Sequence, residues 1–161
     1  MKTAALIGAA AGAVGTLALD AATYTDMAVR GRPASSMTQT LVAKLAQKAG
    51  IAPLAAEQPD DATKNRQTGV GALLGYVNGV GVGLVYAAAR PLLRDRVPLA
   101  VTGILAGALA MALTDVTAAA LGAADPKEWD AASWVADIVP HAVYGFATVL
   151  AYEGLRAQDI A

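Results

Sequence analysis

Four long apolar segments dominate the sequence and restrict what it can fold into. They cover about residues 4–27, 68–89, 98–122 and 131–155. Each has the ~20 residues that an α-helix needs to cross a hydrocarbon core of ~30 Å. Helices satisfy their own backbone polar groups, which lipid cannot do for them. The sequence therefore predicts an all-α fold, a bundle of four transmembrane helices in a single integral membrane domain over residues 1–161.

The composition favours a membrane protein over a soluble one. Hydrophobic residues make up 56% of the 161 positions and charged residues 16%, whereas a typical soluble domain has about 25% charged residues. The alternative, a soluble all-helical globule, has too few polar residues to cover four such helices. The net charge of −1 and the lack of a basic stripe argue against a nucleic-acid partner. Cysteine is absent, which excludes disulfides and thiolate chemistry.

Residues 28–66 form the longest predicted connection. Within it, residues 36–49 are predicted to form a short amphipathic helix, which Ser35 or Ser36 can cap. Its apolar face consists of Met37, Leu41, Val42 and Leu45. Such a helix lies on the membrane surface or packs on its own bundle, and the pattern leaves both placements open. Residues 53–65 are polar and acidic, so we expect a flexible loop there.

The distribution of charged residues predicts the orientation in the membrane. The short loop at 90–97 contains Arg90, Arg94 and Arg96, whereas the loop at 123–130 is mainly acidic. The positive-inside rule then predicts both termini in the cytoplasm of a multi-pass protein. The basic residues of the 28–66 connection argue the other way, and we give the compact arginine cluster more weight. The first segment is similar to a signal peptide, but we interpret it as a retained helix because its apolar run continues.

Glycines at four-residue spacing predict close helix packing of the glycine-zipper kind. They are Gly71, Gly75, Gly79 and Gly83 in the second segment, Gly8 and Gly12 in the first, and Gly103 and Gly107 in the third. This pattern does not distinguish contacts within one bundle from contacts between subunits. Besides the lipid bilayer, a homo-oligomer or another membrane protein therefore stays open as a partner.

Repeated spacings predict two helical hairpins in tandem. Asp20 and Asp115 each follow the first glycine of a Gly-x-x-x-Gly pair by twelve residues. Gly79, Tyr86 and Arg90 are matched 66 residues later by Gly145, Tyr152 and Arg156. Parallel repeats of this kind occur in transporters, with binding sites near the repeat interface. The alternative is coincidence among helices rich in glycine and alanine.

Each apolar segment carries polar or ionisable residues, which are costly in lipid and therefore functional-site candidates. The candidate site consists of Asp20, Asn78, Asp115, Asp137, His141 and Tyr144. At a helix rise of ~1.5 Å per residue, the three aspartates fall in the half of the membrane remote from the termini. We expect them to line a polar cup that opens outward. The alternative is that these groups only form hydrogen bonds between helices.

The residue types in this site suit proton, ion or small-solute handling. Asp137 and His141 are neighbours one helical turn apart, and histidine titrates nearest to neutral pH. The spacing matches no standard metal motif, and no nucleophile motif or cofactor fingerprint occurs. We therefore expect no catalytic residue, no metal and no cofactor. Two alternatives remain: a non-catalytic scaffold or accessory subunit packing through its glycine faces, and a membrane enzyme using the Asp–His pair, which we favour least.

The last two segments resemble the YagU-like family of small bacterial inner-membrane proteins of unknown function. The similarity lies in Gly103-Ile-Leu-Ala-Gly-Ala-Leu-Ala, in the Asp125-Pro126 loop with Trp129 and Trp134, in Asp137-Ile-Val-Pro-His141-Ala-Val and in Arg32-Pro33 after the first segment. The family typically has Glu where this chain has Asp137. The resemblance implies a bacterial inner-membrane location and a site around His141.

Overall fold

The structure, a computed structural model, describes residues 2–93 and 97–160, most of which are helical. The α-helices are α1 (Lys2–Arg30), α2 (Met37–Ala49), α3 (Asp61–Leu93), α4 (Leu99–Ala120) and α5 (Ala131–Ile160), with short 3-10 helices at Ala52–Leu54 and Pro126–Glu128. The described ranges contain no strand, so the predicted all-α fold is confirmed. Arg94 and Arg96, on which the predicted orientation rests, lie outside the described residues.

Within these ranges, α1, α3, α4 and α5 are each long and apolar enough to cross a membrane. The predicted bounds are least accurate for α3, which begins seven residues before the expected start at residue 68. Asp60 caps this helix, since its carboxylate accepts from the Thr63 N–H at 2.8 Å. The extra turns are polar, so hydropathy could not reveal them.

The four long helices are antiparallel neighbours. α1 packs most extensively on α5, α3 packs on α1, and α4 packs on α5, whereas α3 and α4 share a smaller contact. The side where α1 begins and α5 ends is here named the terminal side. The opposite side, which carries α2, is named the loop side. Because α1 and α4 contact different faces of α5, equal depth on these two helices does not bring their side chains together.

Glycines allow the backbones within each hairpin to approach closely. A Cβ on Gly83 of α3 would collide with the Gly8 carbonyl and lie 2.8 Å from the Gly12 Cα. In the second hairpin, a Cβ on Gly145 would collide with the Gly103 carbonyl and lie 2.9 Å from the Gly107 Cα. The two hairpins therefore use the same glycine contacts.

The register of this repeat differs from the predicted one by a helical turn. Gly8 and Gly12 correspond to Gly103 and Gly107, as the sequence indicates. On the partner helices, however, the residues in equivalent contacts are 62 residues apart, pairing Gly83 with Gly145, rather than the expected 66. Residues that recur every four positions match almost as well after a four-residue shift, so spacing alone could not fix the register.

The helix α2 packs on the loop-side end of α3, which confirms one of its two predicted placements. Its buried residues are Leu41, Val42, Ala43 and Ala46. A Cβ on Gly71 would collide with Thr38 of α2, so the first glycine of the α3 series contacts α2 and not another spanning helix. Gly75 is exposed, with no atom within 4 Å of an added Cβ. The glycine ridge of α3 thus serves two different contacts and has a gap between them.

The segment between α2 and α3 is held in place, in contrast to the flexible loop predicted for residues 53–65. Gln67 is buried and donates to the carbonyls of Leu54 and Ala56 at 3.0 and 2.9 Å. Lys44 contacts Glu57 at 2.5 Å. The prediction is wrong for this stretch because its partners lie on α2 and α3, which local composition does not reveal.

Candidate functional site

The packing of α4 on α5 brings three of the predicted site residues together. A Cβ on Gly107 would collide with the His141 carbonyl, so the two backbones are in contact at this level. Two turns further along α4, Asp115 is 8% exposed and lies beside Asp137 and His141. The cluster Asp115–Asp137–His141 therefore forms on the loop-side half of the bundle, as the depths predicted.

His141 is oriented by Asp137 of the preceding turn. Its Nδ1 lies 2.9 Å from the Asp137 carbonyl oxygen and 3.2 Å from Asp137 Oδ1. Both partners are acceptors when the carboxylate is ionised, so we assign the hydrogen to Nδ1. In the neutral ring this leaves Nε2 as the acceptor, available to take a proton. Pro140, inside α5, lacks the N–H that would bond to the Ala136 carbonyl.

Two carboxylate oxygens of the cluster have no hydrogen-bond partner among the described residues. They are Asp115 Oδ1 and Asp137 Oδ2, and both are buried. The two carboxyl groups lie within hydrogen-bonding reach of each other, but two ionised carboxylates can only accept. A proton or another cation between them is therefore required to form a bond. Buried like charges this close do not stay ionised together without one.

The other three predicted site residues form hydrogen bonds between helices. Asp20 accepts from the Tyr76 hydroxyl at 3.5 Å. Asn78 donates to the Ala110 carbonyl and to Thr114 Oγ1, at 2.9 and 3.0 Å, and so joins α3 to α4. Tyr144 is fully buried and donates to the Gly79 carbonyl at 2.7 Å. Asn78 thus bonds to the residue before Asp115, and Tyr144 follows His141 by one turn of α5, whereas the hydrogen bond of Asp20 joins it to α3.

A second polar cluster, which the sequence did not indicate, lies on the terminal side around Glu153. Its carboxylate accepts from the Tyr86 hydroxyl at 2.9 Å and from Arg90 Nε at 2.5 Å. Arg156 is 3.6 Å away on the next turn. The Tyr86 ring also packs edge-on against Tyr152, with ring centroids 5.1 Å apart. Only the i,i+3 spacing of Glu153 and Arg156 could have indicated this cluster from the sequence. The contacts from α3 could not, because they join residues more than sixty positions apart.

No group of three or more histidine, aspartate or glutamate side chains in the described ranges has an arrangement that suits a metal ion.

The structure has the features of a small multi-pass helical membrane protein. Four of its helices are long and apolar enough to cross a membrane, and ionisable groups are buried between them. Comparisons with protein-family models, with curated proteins and with solved structures find no match to this chain. The resemblance to the YagU-like family stays a prediction.

Proposed function

We propose that this protein handles protons or small cations within the membrane, and that Asp115, Asp137 and His141 form the binding site. The observation that carries the proposal is the pair of buried, unpartnered oxygens, Asp115 Oδ1 and Asp137 Oδ2. An unpaired buried charge is strongly unfavourable, whereas a bound cation or proton compensates it. The unsatisfied oxygens therefore support a site that gains and loses a positive charge.

The neighbouring histidine supports a carboxyl pair that exchanges its proton over a pair that stays permanently protonated. His141 Nε2 is the ring nitrogen not directed at Asp137, and imidazole takes up and releases protons near neutral pH. When the carboxyl pair passes a proton to the adjacent imidazole, the resulting carboxylate and imidazolium are neighbours. No isolated charge is then left buried. Purely structural carboxylates would gain more from a fixed donor such as an amide or a hydroxyl.

The glycine contacts favour this proposal over a scaffold that binds partners through its glycine faces. Gly8, Gly12, Gly79, Gly83, Gly103 and Gly107 all face helices of the same chain. These surfaces are already covered, so they are not free for a second protein. Of the glycines named from the sequence, Gly75 is the exposed exception.

The location belongs to the same proposal. We place the protein in a bacterial inner membrane with both termini in the cytoplasm, on the basis of the arginines of the 90–97 loop and of the resemblance to the YagU-like family. The cluster then lies in the outer half of that membrane.

Flux measurements in proteoliposomes test the function. The purified protein should carry a pH-dependent proton or cation flux that Asp115→Asn and His141→Ala each reduce by at least about 100-fold, the lower end of the effect of losing a proton-transfer group. The matched control is Asp20→Asn, the equivalent carboxylate of the first hairpin, which lies apart from the cluster and should keep flux within about twofold. Thermal melting establishes that each variant is folded. A parent protein without flux, or a folded Asp115→Asn variant with unchanged flux, would contradict the proposal.

A further inference from the structure

Asn78 of α3 forms two hydrogen bonds with α4, on the turn that precedes Asp115. Its Nδ2 donates to the Ala110 carbonyl at 2.9 Å and to Thr114 Oγ1 at 3.0 Å. The Thr114 hydroxyl in turn donates to the Ala110 carbonyl at 3.4 Å. A carbonyl oxygen can only accept, so the nitrogen of the amide and not its oxygen must face α4. The bonds to α4 therefore fix the orientation of the Asn78 side chain.

The next residue of α3, Gly79, is bonded to α5 in the same part of the bundle. Its carbonyl accepts from the Tyr144 hydroxyl at 2.7 Å, and Tyr144 follows His141 by one turn of α5. A Cβ on Gly79 would also lie 3.2 Å from the Tyr144 ring. Two consecutive residues of α3, Asn78 and Gly79, thus contact both of the helices that carry the ionisable groups of the site.

The rotation of α4 about its own axis decides where the Asp115 carboxyl group points. On the α5 side, α4 is held by the backbone contact between Gly107 and His141, which lies about two turns from Asp115. On the α3 side, Asn78 holds Thr114, the residue directly before Asp115. These two contacts act on different faces of α4, so together they restrict its rotation.

The internal repeat shows how the two hairpins differ at this level. The positions of α3 that match Asp137 and His141, 62 residues earlier, hold Gly75 and Gly79. Asp20, which matches the aspartate of α4, therefore has no acid and no imidazole at these positions of its own hairpin. The first hairpin has an aspartate without such a site, and its α3 instead contributes an amide to the second hairpin.

We propose that Asn78 is a positioning residue of the site and holds the Asp115 carboxyl group against that of Asp137. The inference rests on the proposed function, because a proton or cation shared by the two carboxyl groups requires them to stay in contact. The bilayer core has no water to replace a lost hydrogen bond. Without Asn78, α4 is free to turn at Thr114, and the two carboxyl groups separate. The second hairpin thus supplies the groups that bind, and the first hairpin sets the distance between them.

Infrared spectroscopy of the protein in proteoliposomes tests this role. A carboxylic acid that is hydrogen-bonded to a carboxylate absorbs at lower wavenumber than one without that bond, so the C=O band of the pair reports the contact. Asp115→Asn should remove this band and so identifies it. Asn78→Leu, whose side chain has a similar size but cannot donate, should move the band to higher wavenumber. It should also lower the flux by up to about 100-fold, the effect of misplacing a reacting group by ~1 Å.

Variants of two threonines on α4 provide the second measurement and its controls. Thr114→Val removes one of the two acceptors of Asn78 and should move the band in the same direction by a smaller amount. Thr114→Ser keeps the hydroxyl and should retain the band and the flux of the parent. Thr117 is exposed and its hydroxyl is bonded to the Leu113 carbonyl at 2.6 Å, so Thr117→Val should also leave both unchanged. Thermal melting establishes that each variant is folded.

The outcomes separate the positioning role from the proposed function. A folded Asn78→Leu variant that melts at a lower temperature but keeps the band position and the flux would overturn the positioning role and leave the binding site standing. If Asn78→Leu does not fold, an unshifted band in folded Thr114→Val overturns it equally. A parent protein that carries no flux and has no band sensitive to Asp115→Asn would instead reject the proposed function.

Discussion

Gly83→Ala is expected to separate the two spanning helices that now touch at this residue. The added Cβ would collide with the Gly8 carbonyl and lie 2.8 Å from both the Cα and the nitrogen of Gly12. These are backbone atoms, so no side chain can rotate away. Overpacking of this kind lowers the free energy of unfolding by about 1–3 kcal/mol. Replacing a helical glycine by alanine raises it by about 0.5–1 kcal/mol. We expect a net loss near 1–2 kcal/mol.

Gly75→Ala is the matched control on the same helix. It lies two turns from Gly83 and an added Cβ would have no neighbour within 4 Å, so we expect stability to be unchanged or raised by up to about 1 kcal/mol. The measurement is reversible unfolding in detergent micelles, with the helical circular dichroism signal as readout. A difference of about 2 kcal/mol between the variants would change the folding equilibrium about 30-fold. Equal stabilities would refute the assignment of these glycines to contacts within the bundle.

Two further predictions concern the segment between α2 and α3. Gln67→Leu should raise amide hydrogen exchange across residues 51–57, because it removes two hydrogen bonds worth about 1 kcal/mol each. Gln58 is exposed, so Gln58→Leu should leave this exchange unchanged. Equal exchange in both variants would contradict the role given to Gln67. The Lys44 ammonium lowers the pKa of Glu57, so this pair contributes to stability at neutral pH and is lost as pH falls through the lowered pKa. Lys44→Ala should return the pKa of Glu57 toward its ordinary value in an NMR titration, while the pKa of Asp60, lowered by Thr63, stays unchanged; a Glu57 titration that does not move would argue against the pair.

The sequence predicted the spanning helices well and the ends of α3 poorly. Length and hydropathy identify a membrane helix because lipid penalises every exposed polar group over ~30 Å. Beyond the lipid, α3 continues through polar residues from Asp61, where hydropathy carries no signal. The same limit explains the segment at 53–65, whose order depends on Gln67 and α2.

The candidate site was predicted in part. Asp137 and His141 are one turn apart, so the helix itself fixes their proximity. Asp115 joins them only because Gly107 and Gly145 let α4 approach α5. Asp20, at the matching position of the first hairpin, has no such neighbours and bonds to Tyr76 instead. Helix rise predicts how far along its helix each of these residues lies. It does not predict which neighbouring helix the side chain faces.

By itself, the sequence determined the helical class, the four helices that are long and apolar enough to span a membrane, and the position of each ionisable residue along its helix, because these depend on hydropathy and on the fixed rise of a helix. The tertiary structure decided which polar residues meet. It pairs Asp115 with Asp137, places Asp20 apart and brings Glu153 to Arg90 across 63 residues. These contacts depend on the rotation and register of packed helices, which glycines spaced by four leave undetermined until the backbones are in contact.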